Sequence, residues 1–514
     1  MNKVIAAVDL GTTGVRCEFF SEFGKSLGSD SVEFIVEENE KGWAETPVIV
    51  FWDAFLSTFT NAYRKAGVKP DEISGISFSQ QRCTIGFADK GGNPLTNMIV
   101  WMDRRGIKYL DEIRENIDPI SYYERQGIPI YQVSALSKIY WFLHNRPDIY
   151  EKTAHIWPIA NFIAVKLGAE NPPIDHSTAS FYGLFDSTNR KWIDEHILKL
   201  GLTPEHYGQL VSPATIIGQV TNRNAAEQLG IRTGIPIIIG GGDQQCAAFG
   251  SGMFRKGRSL IVIGSASAIM ASVEKPVRDP EHIIPCPCHA VPGQWEMEGH
   301  TQASGMILQK FRNELSKFEM EKASRDGRDF YDLLTEQAAA SIPGARGLLF
   351  HPFFNGSQAP VNYTESSGAL IGLRMSHNRG DISRALLEGI CFENYWIMNQ
   401  IQKSGVPIER IIISGGGSKS DLWNQIHADT FNCEITKSGV SNAAILGAAL
   451  CGFYSLGCVD NLDEFVARYE QPGKVFLPNP DNTTRYQDAF NSWLKSYETL
   501  RLSGLYPALN HISE

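Results

Sequence analysis

The stretch Ile235-Pro236-Ile237-Ile238-Ile239-Gly240-Gly241-Gly242-Asp243-Gln244-Gln245-Cys246-Ala247-Ala248 decides how the chain is read. Its first five residues form a β-type run apolar enough for a strand covered on both faces. The three glycines let backbone approach a ligand closely at the strand end. Asp243 follows on a short, rigid lead, and Cys246, Ala247 and Ala248 then open a helix. A carboxylate held at the mouth of a crevice suits a general base acting on a hydroxyl. The same position also suits a plain N-cap, with Asp243 accepting from the first amides of the helix.

Outward from this stretch, strands and helices alternate. Val4 to Leu10 reads as a doubly covered strand, Gly11-Thr12-Thr13-Gly14 as a turn, and Val15 to Phe20 as a second strand. A third strand ends near Phe34. Trp52, Phe55, Leu56, Phe59 and Tyr63 share one helical face, and Ile73 to Ser79 is the next strand. The pattern returns with Leu260 to Ile263, the turn Gly264-Ser265-Ala266-Ser267, and Ala268 to Val273. Ile411-Ile412-Ile413 then runs into Ser414-Gly415-Gly416-Gly417-Ser418 before a helix carrying Leu422, Trp423 and Ile426. The expectation is an α/β protein with a boundary near residues 248–258; two α/β domains, residues 1–250 and 251–514, facing one another across a cleft would place both turns towards a shared ligand. Between them, Gly250-Ser251-Gly252 and Arg255-Lys256-Gly257-Arg258 break the apolar pattern. Residues 312–330 are charge-rich and read as a solvated helix or loop. After Pro478, the spacing of Tyr486, Phe490, Trp493 and Tyr497 predicts a helix.

With 514 residues, 43% of them hydrophobic, the chain can bury large cores. Its net charge of −10 argues against non-specific nucleic-acid binding. No apolar run approaches the roughly 18 residues of a membrane span. Nine scattered cysteines and no signal-peptide pattern suggest reduced thiols in the cytoplasm. Cys286-Pro287-Cys288-His289 has a metal-like look, but the spacing is C-x-C-H and no second half lies nearby, so a zinc site is not expected.

Asp9-Leu10-Gly11-Thr12-Thr13-Gly14 carries phosphate chemistry. Its amides and hydroxyls can wrap phosphate oxygens, Arg16 adds positive charge, and Asp9 can hold Mg²⁺ through water. The chain has no G-x-x-x-x-G-K-[ST] loop and no dinucleotide G-x-G-x-x-G opening its first unit, so nucleotide binding would use the hairpin turn itself.

These motifs together resemble the FGGY family of carbohydrate kinases, from about Val4 to Gly457. Asp9 to Gly14 resembles the family's first phosphate turn, and Gly42-Trp43-Ala44-Glu45 its G-W-x-E segment. Ser79-Gln80-Gln81-Arg82 and Ile99 to Arg105 are similar to glycerol kinase, and Lys138 to Asn145 fits half of the first family signature. Gly240 to Gln245 resembles the catalytic-acid segment, and Gly264-Ser265 the second phosphate turn. Gly305 to Gln309 is similar to a nucleotide-contacting segment. Gly368 to Glu388 resembles the second signature, and Gly415 to Trp423 the adenosine-binding segment.

The resemblance implies two actin-like (ribonuclease-H-like) domains with an interdomain cleft, and transfer of the γ-phosphoryl of ATP to a sugar or polyol. In that reading Asp243 is the catalytic base and Arg82, Cys83 and Gln244 meet the substrate. Thr12, Thr13, Gly14, Arg16 and Ser265 hold phosphates, while Gly305, Gln309, Gly416 and Ser420 hold the nucleoside. Asp9 serves Mg²⁺. Homodimers are common in the family. In glycerol kinase the Arg is followed by Glu, where this chain has Cys83, and a thiol cannot accept hydrogen bonds as a carboxylate does. A ketopentose such as xylulose is the leading substrate, with glycerol, erythritol and an autoinducer-type dihydroxypentanedione as alternatives. His289 to Trp295 also resembles the pentulokinases. A non-catalytic actin-like nucleotide sensor is the rival from another class, but it would need neither Asp243 nor the sugar-side residues Arg82 and Gln244.

Overall fold

The computed structural model describes residues 3–459, 461–469 and 473–513. The first sheet contains β1 (Val4–Leu10), β2 (Gly14–Ser21), β3 (Ser26–Glu33), β4 (Ile73–Gln80), β5 (Thr215–Gln219) and β6 (Pro236–Gly242). Its order is β5-β6-β4-β1-β2-β3. The second contains β7 (Arg258–Ile263), β8 (Ser267–Val273), β9 (Trp295–His300), β10 (Arg410–Ser414), β11 (Glu434–Lys437) and β12 (Val475–Phe476), ordered β9-β8-β7-β10-β11-β12.

The two sheets share one plan. Each has an antiparallel three-strand meander, two further strands parallel to its first strand, and an antiparallel edge strand. The likeness between the sequence around residue 260 and the opening hairpin is therefore a likeness of whole sheets. They differ in one respect: the edge strand β5 precedes its partner in the chain, while β12 follows its own.

The main helices are α1 (Val48–Ala66), α2 (Asp243–Gly250), α3 (Gly305–Lys310), α4 (Arg379–Lys403), α5 (Asp421–Phe431), α6 (Ala443–Ser455) and α7 (Pro480–Leu502). In α1, Trp52, Phe55 and Phe59 of the face read from the sequence are buried and Leu56 and Tyr63 partly buried, with Phe51 joining them. In α7, Tyr486, Phe490, Trp493 and Tyr497 are buried, as their spacing predicts. No helix among the described residues is long and apolar enough to cross a membrane.

β1 shows why its sequence is almost unbroken apolar. Val4, Ala6 and Val8 join the core that holds Phe51 and Phe55 of α1. Ile5 and Ala7 face the other way, into a core with Ile238, Phe249 and Ala448. Covered on both faces, the strand has no polar side to show.

The second cover is α2 together with α6, a helix from near the end of the chain. They pack backbone to backbone: a β-carbon on Gly250 would run into the Ala443 carbonyl, and one on Gly447 into that of Cys246. The Ser77 hydroxyl donates to the Ala448 carbonyl at 2.6 Å, joining α6 to β4. Replacing Gly447 with alanine should therefore destabilise the protein by about 1–3 kcal/mol or more, because close-packed backbone cannot yield. Gly416→Ala is the control, since nothing lies within 4 Å of its added carbon. Urea unfolding of the two variants measures the difference, and equal stabilities would contradict this packing.

Candidate active site

β6, β4 and β1 are neighbouring parallel strands, and their register sets Asp9 opposite Ser79 and Ser79 opposite Gly241. Asp9, Arg82 and Asp243 therefore gather at the carboxyl ends of three adjacent strands, where open α/β sheets bind their ligands. The strand runs on through the glycines to Gly242 rather than ending at Ile239. Gly241 has φ of 150°, and a β-carbon there would lie 2.7 Å from the Ser177 hydroxyl. Gly242 donates its N–H to Ser177 Oγ at 3.0 Å, and that hydroxyl is hydrogen-bonded in turn to the buried Asp175.

This corrects the N-cap reading of Asp243. Gly242 occupies the N-cap, and Asp243 is the first residue of α2 with no side-chain capping bond. Its Oδ1 accepts the N–H of Gln244 at 2.8 Å. The carboxylate is thus displaced by one position into the cleft, where 30% of the side chain remains exposed.

Four carboxyl groups crowd this region. Burial, with repulsion from Asp243, pushes Asp9 up to about 6, although Ser79 donates to it at 2.9 Å and Arg16 opposes the shift. Burial also raises Asp243, against the pull of Arg82. The Arg82 guanidinium reaches both oxygens of Glu298 at 2.8 Å through Nη1, while its Nε stands 3.5 Å from Asp243 Oδ1. It also lies 4.0 Å from the centre of the Phe181 ring. Burial disfavours a charged Glu298, but Arg82 and His300 outweigh that and hold it low. Glu296, two residues earlier on β9, is pushed up by burial and by Glu298. Gln245 Nε2 donates to Glu296 Oε1 at 2.8 Å. Glu296 Oε2 and Gln245 Oε1 are both buried and have no hydrogen-bond partner. His289 Nε2 stands 3.4 Å from Glu296 Oε2.

Cys83 is buried with Ile128 and Phe181, at φ of 60°. Burial raises its thiol to about 11, so it stays protonated and presents a weak polar group. Gln244 is half-buried beside Asp243. On the phosphate side, the Gly11 N–H closes the first turn on the Gly14 carbonyl at 3.0 Å. Thr13 is exposed at its tip. Thr12 Oγ1 accepts the indole N–H of Trp101 at 2.9 Å and donates to Gln81 at 3.1 Å. Arg16 donates to Asn442, at the start of α6, at 2.6 Å.

The second set of predicted residues meets at the ends of β7 and β10, where Val262 pairs with Ser414. Gly305 donates to the Gly264 carbonyl at 2.9 Å, and Ser304 and Met306 donate to that of Ser265, so the turn and the start of α3 form one unit. Gln309 is exposed one turn further along. Gly416 lies in the turn after β10, while the Ser420 hydroxyl accepts from Trp423 at 3.2 Å and caps α5.

Cys286, Cys288 and His289 do not converge on a metal. His289 is held by the Met253 carbonyl at 3.0 Å and accepts from Val291 at 2.9 Å. Among the described residues, no three His, Cys, Asp or Glu side chains are grouped to hold a metal ion.

Ser177, Asp175, Glu296, Glu298 and His300 escaped the sequence reading, and Gln245 was read only as part of the segment after the glycines. The one signal was Glu296-Met297-Glu298-Gly299-His300, an alternation that puts three polar groups on one face of a strand.

Residues 4–250 match the FGGY family of carbohydrate kinases, N-terminal domain, and residues 259–456 match its C-terminal domain. The chain belongs to the FGGY family of carbohydrate kinases. A gluconokinase of Bacillus licheniformis is 32% identical over 465 residues, covering 90% of each chain. An autoinducer-2 kinase of Salmonella paratyphi A is 28% identical, covering 97% of this chain and 94% of its own. The structure of a xylulose kinase from Lactobacillus acidophilus superposes with a TM-score of 0.89 at 23% identity, over 97% of this chain and 98% of its own. This FGGY kinase thus has the two actin-like domains expected, and its family is one of ATP-dependent enzymes rather than nucleotide sensors.

The raised proton affinity of Glu296 has a consequence for stability. An acid whose pKa is raised on folding adds stability that is fully present at low pH and is lost as the pH rises through the raised value. Glu296→Gln, neutral at every pH, should flatten the fall of stability between the ordinary carboxylate range and mildly alkaline pH. Denaturant midpoints measured across that range test this; parallel curves for the two proteins would show that Glu296 is not carried as the acid.

Proposed function

We propose that this FGGY kinase transfers the γ-phosphoryl group of ATP to a hydroxyl of a small uncharged ketose or polyol, with Asp243 as the base. The observation that carries this is the placement of Asp243. It sits at the end of β6, facing Asp9 and Arg82, with its carboxyl raised by burial toward the range useful for accepting a proton. Asp243 takes the hydroxyl proton, the freed oxygen bonds to the γ-phosphorus, and the bond to the departing ADP breaks. Phosphoryl transfer leaves the protein little covalent work, so most of the remaining acceleration is positioning and charge stabilisation.

In this reading residues 1–250 hold the sugar and residues 251–514 the nucleotide, with Glu298 and His300 reaching across to the sugar side. Thr12, Thr13, Gly14, Arg16 and Ser265 face the phosphates; Gly305, Gln309 and Gly416 lie on the nucleoside side. Ser420 supports that side by capping α5. Asp9 fits Mg²⁺: it is a half-buried hard-oxygen donor repelled by Asp243, a situation a divalent cation relieves. Mg²⁺ is typically held by one or two carboxylates together with substrate phosphates, and it neutralises charge on those phosphates.

The charge on Arg82 is already answered by Glu298 and Asp243. A substrate carboxylate would find no surplus positive charge at Arg82, which supports a ketopentose such as xylulose over a sugar acid. Cys83 in turn weakens the case for glycerol. The 32% identity to a gluconokinase makes gluconate the second substrate to test.

Asp243→Asn should still bind ATP and lose about 10²–10⁴-fold in turnover, the usual contribution of a positioned base. Near-normal turnover would remove Asp243 from that role. ATP-dependent phosphorylation of xylulose, gluconate, glycerol, erythritol and dihydroxypentanedione, compared by kcat/KM, checks the substrate class. A preference for gluconate would overturn the uncharged-substrate reading.

A further inference from the structure

We propose that Glu298 is a positioning residue for the transfer: it clamps the Arg82 guanidinium and so keeps Arg82 from closing onto Asp243. The inference rests on Asp243 being the base. Arg82 follows β4 in the first half of the chain, and Glu298 lies on β9 in the second, so the clamp bridges the two halves beneath the base. Its contacts are unequal. Both Glu298 oxygens sit 2.8 Å from Nη1, a charge-assisted distance, while Asp243 is 3.5 Å from Nε. Phe181, 4.0 Å from the guanidinium, fixes the plane from one side. A guanidinium fully paired with Asp243 would hold that carboxylate in its ionised, weakly basic form. Shared with Glu298, it orients Asp243 and leaves the carboxylate able to accept a proton.

The groups facing this arrangement are Asp9, Cys83, His300 and Glu296. His300 Nε2 is 3.4 Å from Glu298 Oε1 and supports the same carboxylate. Gln245 Nε2, 3.4 Å from Glu298 Oε2, is bonded more closely to Glu296 at 2.8 Å. Glu296 Oε2 lies 3.4 Å from His289 Nε2. Glu298 is then the anion that answers Arg82.

Three variants test this by steady-state kinetics, with ATP affinity measured separately as a check on folding. Glu298→Gln should lose about 10²-fold in kcat, the scale on which small misplacements act, with ATP binding unchanged. Glu298→Asp should recover part of the loss, because it restores the charge. Arg82→Gln combined with Glu298→Gln should be no worse than Arg82→Gln alone, since Glu298 acts through Arg82. A Glu298→Gln enzyme within about threefold of wild type, below the scale expected for a lost positioning contact, would overturn the inference. So would losses that multiply in the double variant, or a Glu298→Gln protein that no longer binds ATP. Asp243→Asn is measured beside them: an active Asp243→Asn enzyme sinks the base itself. An inactive one beside a fully active Glu298→Gln enzyme sinks the clamp alone.

Discussion

The backbone contact between α2 and α6 is the constraint on which the rest of the molecule depends. Gly250 and Gly447 have no side chains, so the two helices approach until each meets the other's carbonyls. That closeness presses both helices onto the second face of the first sheet, where Ile5, Ala7 and Ile238 await them. It also determines where α2 begins, and Asp243 is its first residue. Because α6 comes from the second half of the chain, the contact ties that half to the first sheet. Arg16 extends the same tie by reaching Asn442 at the start of α6.

Charge imposes the second constraint. Asp9, Asp243, Glu296 and Glu298 lie close together in a poorly solvated region, and Arg82 is the cation among them. Four negative charges, two of them fully buried, around one largely buried guanidinium would be strongly repulsive. The arrangement resolves this by inequality: Glu298 takes the closest pairing, burial and Glu298 raise the proton affinity of Glu296, and Asp9 and Asp243 face the cleft with raised affinities for protons. The two cleft-facing groups are those the proposed chemistry needs, one toward a hydroxyl proton and one toward a cation that arrives with phosphate. The unequal sharing of Arg82 thus links electrostatic stability to function.

Much was legible in the chain because local chemistry wrote it there. Strands such as β1 and β6 are apolar on both faces because both faces are covered. The turns at Gly11 to Gly14 and Gly264 to Ser267 need small residues whatever surrounds them. Gly240 to Gly242 marks close approach to the Phe78 carbonyl, Ser177 and Arg82, and the run could be read as a strand end before these neighbours were known. Even so, reading Asp243 as the cap was off by one position, because the third glycine stays in the strand and pairs with Gln80.

By itself, then, the sequence determined the two echoing hairpins, the phosphate turns and the carboxylate after the glycines, all of which are properties of neighbours along the chain. Only the tertiary structure decided that Ser177 supports the Gly242 amide, that Glu298 from the other half clamps Arg82, and that α6 belongs against the first sheet. These pairings join residues 65, 216 and 371 positions apart, as the bonds Gly242–Ser177, Arg82–Glu298 and Ser77–Ala448 show. Strand register and helix packing create such contacts, and no local periodicity records which distant partner a buried charge or an unpaired amide will find.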